Sequence, residues 1–203
     1  MNRKEMEKFI VGVDPGKRGA FVGLLNGKIK FMDLFPLKPT TSKYRYRKEF
    51  DVQKIFELIG FLKEYTTNKG LELIFFVEEP LFISPGKYAI ASAHYCYGIL
   101  RGVLTSLKVR FFFIYPNVWY RYIFRHNKVK KKSNGWGKDV IADKGKLSIA
   151  YCEKNFPDTD FTFKGRFRNS HDGLTDATCI AVYGEMIVNR YKRYDKLQSA
   201  NIP

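Results

Sequence analysis

FIVGVDPGKRGA, the sequence of residues 9–20, contains a short apolar run that ends at an aspartate and a glycine-rich turn. The run at residues 9–13 predicts a buried strand, which Asp14 follows directly. A second run, at residues 73–77, ends at Glu78 in the same way. Open α/β sheets bind their ligands at the carboxyl ends of their strands. Both carboxylates are therefore expected at that edge of a sheet, where a buried charge is costly unless it binds something.

A second pair of carboxylates lies near the end of the chain, in HDGLTDATCIA at residues 171–181. Asp172 and Asp176 are four residues apart, so on a helix they share one face. With Asp14 and Glu78 they make a set of four oxygen ligands that could surround two divalent cations, as phosphodiester chemistry requires. Asp172 at the start of a helix is also explained as an ordinary N-cap, and that alternative stays open.

The order of the predicted elements indicates a mixed sheet with helices beside it. Strands are predicted at residues 20–25 and 29–34, and Asn26-Gly27 between them is a strong hairpin signal. With the first strand they form three antiparallel strands, after which helices and strands alternate. Further strands are predicted at 71–77 and 111–115, and helices between Asp51 and Gly70, from Lys87, from Pro116, at 146–156 and at 174–188. We expect one α/β domain over residues 1–203 with a mixed five-stranded sheet flanked by helices.

The charge of the chain indicates a polyanionic partner. Its 203 residues carry a formal net charge of +16, and 45% of them are hydrophobic, which is enough for the core of one domain. A protein this basic is expected to bind nucleic acid or an anionic membrane surface. No apolar stretch reaches the ~18 residues of a membrane-spanning helix, so we expect a cytoplasmic protein without membrane insertion.

Two basic segments are the expected contacts to nucleic acid. Residues 36–48 (PLKPTTSKYRYRK) and 125–138 (RHNKVKKKSNGWGK) are too polar to pack and are predicted as surface loops, and the tail at 189–203 is polar as well. Lysine and arginine neutralise phosphates and interleaved aromatic rings stack on exposed bases, although a solvated charge run is the ordinary alternative. The candidate DNA contacts are Lys17, Arg18, Lys43, Arg45, Arg47, Lys87, Lys130, Lys131, Lys132 and Trp136.

Five segments, in order along the chain, resemble the RuvC family of Holliday junction resolvases, of bacterial or phage type, in the ribonuclease-H-like superfamily. They are DPGKRGA, VEEP, ASAHYCYGILRGVL, GKLSIAYCEKNFP and HDGLTDATCIAVYG. The specificity lies in their order and spacing, because each segment alone is common. The resemblance implies a ribonuclease-H-like fold and a homodimer that cleaves four-way DNA junctions. It also implies two Mg²⁺ ions per active site, for which Mn²⁺ can substitute.

The resemblance implies a role for each of the four carboxylates. Asp14 is expected to bridge the two metal ions and Glu78 to hold the ion on the leaving-group side. Asp172 and Asp176 are expected to hold the ion that activates water. In many bacterial members the last helix offers its two ligands three positions apart, whereas here the two aspartates are four apart. Both spacings place the side chains on one face of a helix.

Three further residues are expected at or near the site. The resemblance implies a catalytic lysine before or at the start of the penultimate helix, at Lys144 or Lys146, and we favour Lys146. Alternation along a strand directs only one of Glu78 and Glu79 into a site, and alignment with the family favours Glu78. His171 is either a supporting group that carries a proton or a surface polar residue.

Other functions are compatible with parts of this pattern. A nuclease of the same fold that acts on forks or flaps would share the charge and the carboxylates. A non-catalytic DNA-binding protein of this fold would share the charge but would not explain four intact carboxylates. An actin-like ATPase would use DPGKRG as a phosphate loop, but it needs a second such domain, for which 203 residues leave no room. We therefore predict a Mg²⁺-dependent endonuclease that cleaves four-way junctions.

Overall fold

The computed structural model describes residues 6–39, 48–80, 87–125, 133–134, 138–139 and 144–190. The strands are β1 Lys8–Asp14, β2 Ala20–Leu25, β3 Lys28–Leu34, β4 Leu37–Pro39, β5 Lys48–Phe50, β6 Glu72–Glu78, β7 Arg110–Ile114, β8 Ser133–Asn134 and β9 Lys138–Asp139. The helices are α1 Val52–Asn68, α2 Lys87–Ser106, α3 Pro116–Ile123, α4 Lys144–Asn155 and α5 Asp172–Arg190.

Five of the strands form one mixed sheet in the order β3-β2-β1-β6-β7. The first three pair in antiparallel fashion, and β1, β6 and β7 are parallel to one another. Asn26 and Gly27, which join β2 to β3, both have left-handed backbones with φ of 52° and 73°. A two-residue turn of this kind matches the twist of the strands on either side of it. The predicted fold class and hairpin are confirmed.

Large apolar side chains fill the face of the sheet that α1 and α2 cover. Helix α1 begins as predicted, since the Asp51 carboxylate accepts a hydrogen bond from the Lys54 N–H. Its buried residues recur at helical spacing and pack on the odd-numbered residues of β1 and β6. Full burial of one such side chain contributes about 1.5–3 kcal/mol. The centre of this core contains Phe9, Val11, Ile55, Ile59, Leu62, Phe75, Leu100 and Leu104.

Small residues bring α5 unusually close to the opposite face. Gly12 of β1 has no room for a side chain, because a Cβ there would lie 2.1 Å from the Ala177 carbonyl oxygen and 2.4 Å from the Ala181 nitrogen. Along the same helix, a Cβ on Gly184 would lie 2.5 Å from the ring of Phe76. Because backbone atoms cannot move aside as side chains can, the contact of Gly12 with the backbone of α5 fixes the depth at which this helix lies on the sheet.

The two shorter helices lie beside α5. Helix α3 begins at Pro116, a residue suited to the first helical turn because its missing N–H would have no partner there. Helix α4 packs against α5, where the Cys152 thiol donates a hydrogen bond to the Thr175 carbonyl oxygen. Of the helices in the described ranges, none is long and apolar enough to cross a membrane.

The predicted basic loops and tail contain short stretches of regular structure. Strand β4 pairs with β5, so the segment 36–48 is a loop closed by a small antiparallel sheet. Strand β8 pairs with β9 near the end of the segment 125–138. These short paired strands lie within the segments predicted as surface loops, and their pairing supplies backbone hydrogen bonds there. Helix α5 also runs two residues into the predicted tail. Residues 40–47, 126–132, 135–137 and 191–203 lie outside the described residues.

Candidate active site

The two carboxylates at the ends of the strands are directed to the same face of the sheet. Along β1 and β6 the odd-numbered apolar residues pack toward α1 and α2, and the even-numbered ones, such as Ile10 and Ile74, pack toward α5. Asp14 and Glu78 are the even-numbered last residues of these two parallel neighbours. Because side chains alternate along a strand, both carboxylates belong to the α5 face.

Glu79 lies toward the other face. Its backbone N–H donates a hydrogen bond to the Ile114 carbonyl oxygen at 2.8 Å. Burial raises the pKa of Tyr97 in α2, and the nearby charge of Glu79 raises it further. Glu79 is therefore a neighbour of α2, whereas Glu78 is directed to α5. This placement agrees with the preference for Glu78, and the catalytic role of either residue stays a prediction.

The start of α5 is held against the turn that follows β1. A Cβ on Gly173 would lie 2.0 Å from the Arg18 carbonyl oxygen, so only glycine allows this approach. Gly12 of β1 contacts the backbone of Ala177 and Ala181, which holds the next turn of the helix. Together these two close contacts place the first turns of α5, and with them Asp172 and Asp176, beside Asp14.

The four carboxylates affect one another electrostatically. Burial raises the pKa of Asp14 well above its ordinary value, and the negative charges of Glu78, Asp176 and Asp172 raise it further. Like charges held together away from water repel one another strongly unless positive charge neutralises them. The arrangement therefore favours the binding of cations.

Each of two carboxylates has a contact that orients it. The indole N–H of Trp119 in α3 donates a hydrogen bond to Glu78 Oε2 at 2.7 Å, and the ring is almost fully buried. Arg18 Nη2 donates to Asp172 Oδ1 at 3.1 Å, but the two side chains are 80% and 41% exposed. An exposed ion pair contributes only ~0–1 kcal/mol. Glu78 is thus fixed by a buried partner, whereas the Arg18 contact exchanges readily.

The donor set fits a hard divalent cation. All four candidate ligands are carboxylates, the oxygen donors that Mg²⁺ and Mn²⁺ prefer. Within the described part of the chain, no three His, Cys, Asp or Glu side chains are close enough to enclose an ion as they stand. Asp172 is turned toward Arg18 and Glu78 toward Trp119 in this arrangement. Two features fit the implied Mg²⁺ or Mn²⁺: the negative charges that surround Asp14, and the carboxylate oxygens that serve as donors.

His171 caps α5. Its Nδ1 accepts a hydrogen bond from the Leu174 N–H at 3.3 Å, and its carbonyl oxygen accepts one from the Thr175 N–H at 3.1 Å. Asp172 is therefore the first helical residue, and the alternative that it is the N-cap is wrong. Burial lowers the pKa of His171, which favours the neutral ring whose Nδ1 can accept. His171 is a buried residue that orients the helix carrying both aspartates.

Lys146 lies in the first turn of α4, with its side chain exposed. Together with Arg18 and Asp172 it lines an open cleft of about 430 Å³. Lys146 thus lines the same cleft as Asp172. The side chain of Lys144 lies outside the described part of the structure, so the choice between the two lysines stays a prediction.

Two of the predicted DNA contacts flank the carboxylates. Lys17 and Arg18 line a cleft of about 470 Å³ that also contains Asp14 and, from α2, Tyr88. Their charges therefore lie where a phosphate would approach the candidate site. The other predicted contacts lie outside the described residues, namely Lys43, Arg45, Arg47, Lys130, Lys131, Lys132, Trp136 and the side chain of Lys87.

The sequence pattern did not point to Trp119 and Tyr120 as members of the site. Trp119 contacts Glu78, and Tyr120 lies near Asp176, whose charge raises the pKa of the phenol in addition to the larger effect of burial. The tryptophan itself could have indicated a polar contact, because a buried indole N–H needs a hydrogen-bond acceptor. Sequence alone does not say which acceptor that is.

Solved structures similar to this chain include two of RuvC from Thermus thermophilus. One shows RuvC in complex with Holliday junction substrate and is 10% identical, with a TM-score of 0.50. The other shows RuvC, and is 15% identical with the same TM-score. Each comparison covers 90% of this chain and 96% of the other. At such low identity the similarity establishes the fold, which is RuvC-like and therefore ribonuclease-H-like. No protein-family model and no curated protein matches the chain.

Proposed function

We propose that the protein is a Mg²⁺-dependent endonuclease that cleaves four-way DNA junctions. One observation carries the proposal: β1, β6 and α5 bring Asp14, Glu78, Asp172 and Asp176 near one another, so that burial and then the charges of the last three raise the pKa of the first. The formal charge of +16 suits a nucleic-acid substrate. The fold shared with a RuvC structure in complex with Holliday junction substrate supports the choice of a branched one.

The four carboxylates would hold the metal ions. Bound Mg²⁺ supplies positive charge against the non-bridging and leaving oxygens of the phosphodiester and lowers the pKa of the attacking water. Asp14, on the central strand, is proposed as the ligand common to both ions. Glu78 is proposed on the leaving-group side, and Asp172 with Asp176 on the side of the attacking water. This division among the ligands follows the resemblance to the family.

Neighbouring residues would orient the ligands and the substrate. Trp119 holds one oxygen of Glu78, and the cap formed by His171 holds the start of α5. Lys17, Arg18 and Lys146 line the clefts around the carboxylates, where their charges would neutralise phosphates of the cleaved strand. Contacts of this kind position the DNA without reading its sequence. We therefore expect selectivity for the shape of the DNA to exceed selectivity for its sequence.

A homodimer is proposed, with α2 at the interface. An exposed stripe runs along this helix through Ala91, Tyr95, Gly98 and Gly102. Among the described residues, nothing lies within 4 Å of where a Cβ on Gly98 or Gly102 would be, so another helix could approach closely there. A two-fold dimer would present two active sites to the two strands of opposite polarity at a junction crossover.

The test is a comparison of four-way junction, fork, flap and linear duplex in one cleavage assay, with Mg²⁺, with Mn²⁺ and with chelator. We expect cleavage of the junction with either metal, with 5′-phosphate and 3′-hydroxyl ends, and no cleavage with chelator. Faster cleavage of forks or flaps would make those structures, and not the four-way junction, the substrate of the nuclease. Tight junction binding without cleavage in any metal would contradict the nuclease proposal and leave a DNA-binding protein.

A further inference from the structure

A concave cleft of about 870 Å³ lies beside the candidate active site. Its walls come from β3, β5, α1, the turn that follows β1 and the loop that precedes α5. The volume is in the range of ~300–1,000 Å³ that is typical of ligand sites. The cleft shares Lys17 and Arg18 with the cleft that contains Asp14, and none of the four candidate carboxylates lines it. It therefore adjoins the candidate active site and lies outside the proposed metal site.

Positive charge predominates in the cleft. Two of its cations, Lys48 and Arg166, come from different elements, β5 and the loop before α5. Among the described residues, the lining contains five cationic side chains, Lys17, Arg18, Lys48, Lys54 and Arg166, and two acidic ones, Asp33 and Glu57. This excess complements an anionic ligand. Because the cations are spread along the walls, they suit a chain of phosphates better than a single anion.

Aromatic rings are interleaved with these charges. Phe61 is 59% exposed and lies on the cleft-facing side of α1, two turns after Lys54. On the other wall, the Phe167 ring lies 4.3 Å from the His171 ring and under the Arg166 guanidinium, which is 5.8 Å from the ring centroid. Aromatic faces of this kind are platforms on which nucleic-acid bases stack.

The wall that contains Phe167 is an ordered loop. The Asp160 carboxylate accepts hydrogen bonds from the backbone N–H groups of Thr162 and Lys164 at 2.9 and 2.8 Å. A hydrogen bond from the Thr162 hydroxyl and, after it, these two backbone bonds lower the pKa of Asp160. They hold a tight turn in which Lys164 and Gly165 have left-handed backbones with φ of 60° and 73°. The aromatic wall is therefore formed before any ligand arrives.

We propose that this cleft binds an unpaired segment of the DNA strand that leaves the candidate active site. Its phosphates would lie along the lysines and arginines, and its bases would stack on Phe61 and Phe167. Duplex DNA keeps its bases stacked inside the helix and offers such a wall only phosphates, so the exposed ring of Phe61 and the partly exposed ring of Phe167 favour an unpaired strand. The inference rests on the proposed nuclease function and adds a subsite for the single-stranded part of the substrate.

The test measures DNA binding without cleavage, in chelator. An oligonucleotide of about ten unpaired thymidines is compared with a hairpin duplex by fluorescence anisotropy. Phe61→Ala should weaken binding of the single strand roughly 5- to 150-fold and change binding of the duplex less than twofold. Phe56→Ala is the matched control, because Phe56 lies on the same helix, is 42% exposed and is not part of the cleft. It should leave both affinities unchanged.

A second pair of variants gives a direct signal. Phe61→Trp places an indole in the cleft and Phe56→Trp places one outside it. The background fluorescence of the native tryptophans is subtracted with the wild-type protein. Added single strand should quench the indole at position 61, because stacking on a base quenches it, and should leave the indole at position 56 unaffected. All four variants change exposed side chains and should melt within a few degrees of the wild type.

The outcomes separate this proposal from the nuclease proposal. Equal single-strand affinities of Phe61→Ala and Phe56→Ala, or equal losses on single strand and duplex, overturn the subsite even if junctions are cleaved. A loss specific to Phe61 and to the single strand, in a protein that cleaves no junction, supports the subsite and contradicts the nuclease. Quenching at position 56 equal to that at position 61 also counts against the subsite.

Discussion

The two faces of the central sheet are packed in different ways. On the face covered by α1 and α2, large side chains such as Ile59 and Phe75 fill the space between helix and strand. On the α5 face, Gly12 and Ala177 place backbone against backbone. Side chains adjust their rotamers when a helix shifts slightly, but directly contacting backbones cannot. Helix α5, which carries two of the candidate carboxylates, therefore has less freedom to shift on the sheet than α1 and α2 have.

The largest expected effect is on the α5 face, at its central carboxylate. Asp14→Asn keeps the size of the side chain and removes its charge, so cleavage of a four-way junction in Mg²⁺ should be abolished. Junction binding should be kept or tightened, because a negative charge facing phosphate is lost. The control is Glu49→Gln, a surface carboxylate paired with Lys38, which should cleave at the wild-type rate. Substantial cleavage by Asp14→Asn would rule out the proposed metal site.

Neighbouring glutamates directed to opposite faces provide the next test. Glu78→Gln should lower the cleavage rate at least ~100-fold, the usual weight of one preorganised group that stabilises charge. Glu79→Gln, on the α2 side, should lower it far less. Single-turnover kinetics with saturating enzyme measure both rates. A larger loss of rate in Glu79→Gln than in Glu78→Gln would mean that the glutamate on the α2 side is the catalytic one. It would contradict the assignment of the active site to the α5 face.

Trp119 should contribute to the site through Glu78 without touching the substrate. Trp119→Phe removes the N–H that bonds Glu78 Oε2 and keeps an aromatic ring in the core. Loss of a group that orients a metal ligand typically costs 10–100-fold in metal affinity. We expect that loss in Mn²⁺ affinity, measured by calorimetry without DNA, and a matching rise in the Mg²⁺ concentration needed for cleavage. An unchanged Mn²⁺ affinity would make Trp119 a packing residue only.

A pair of glycine substitutions compares the two faces directly by stability. Gly12→Ala forces a Cβ into the backbone of α5 and should lower the free energy of unfolding by about 1–3 kcal/mol, as overpacking does. Gly60→Ala, within α1, meets open space and should raise it by about 0.5–1 kcal/mol, because alanine is the better helix former. Urea denaturation measures both. Equal effects would show that Gly12 has as much room for a Cβ as Gly60, which would contradict the close approach of α5.

Much of the fold was predictable because its signals are local. The runs that end at Asp14 and Glu78, the Asn26-Gly27 turn and the Asp51 cap each depend on residues adjacent or nearly adjacent in the chain. Their predictions agree with the strands, the hairpin and the start of α1. Alternation along β6 also explains why Glu78 and not Glu79 is directed to α5. Period and turn chemistry are properties of short segments, so a single sequence contains them.

Other features were decided by contacts between residues distant in sequence. Trp119 and Glu78 are 41 positions apart, and Arg18 and Asp172 are 154 apart. No short sequence pattern around these residues predicts that either pair is in contact. His171 and not Asp172 caps α5, because the histidine is buried with its Nδ1 directed at the helix, which depends on the loop packed beside it. The sequence determined which carboxylates end the strands and that the chain is strongly basic. Only the tertiary structure decided which partners hold those carboxylates and which cleft adjoins them, because helix depth and side-chain direction depend on the packing of the whole domain.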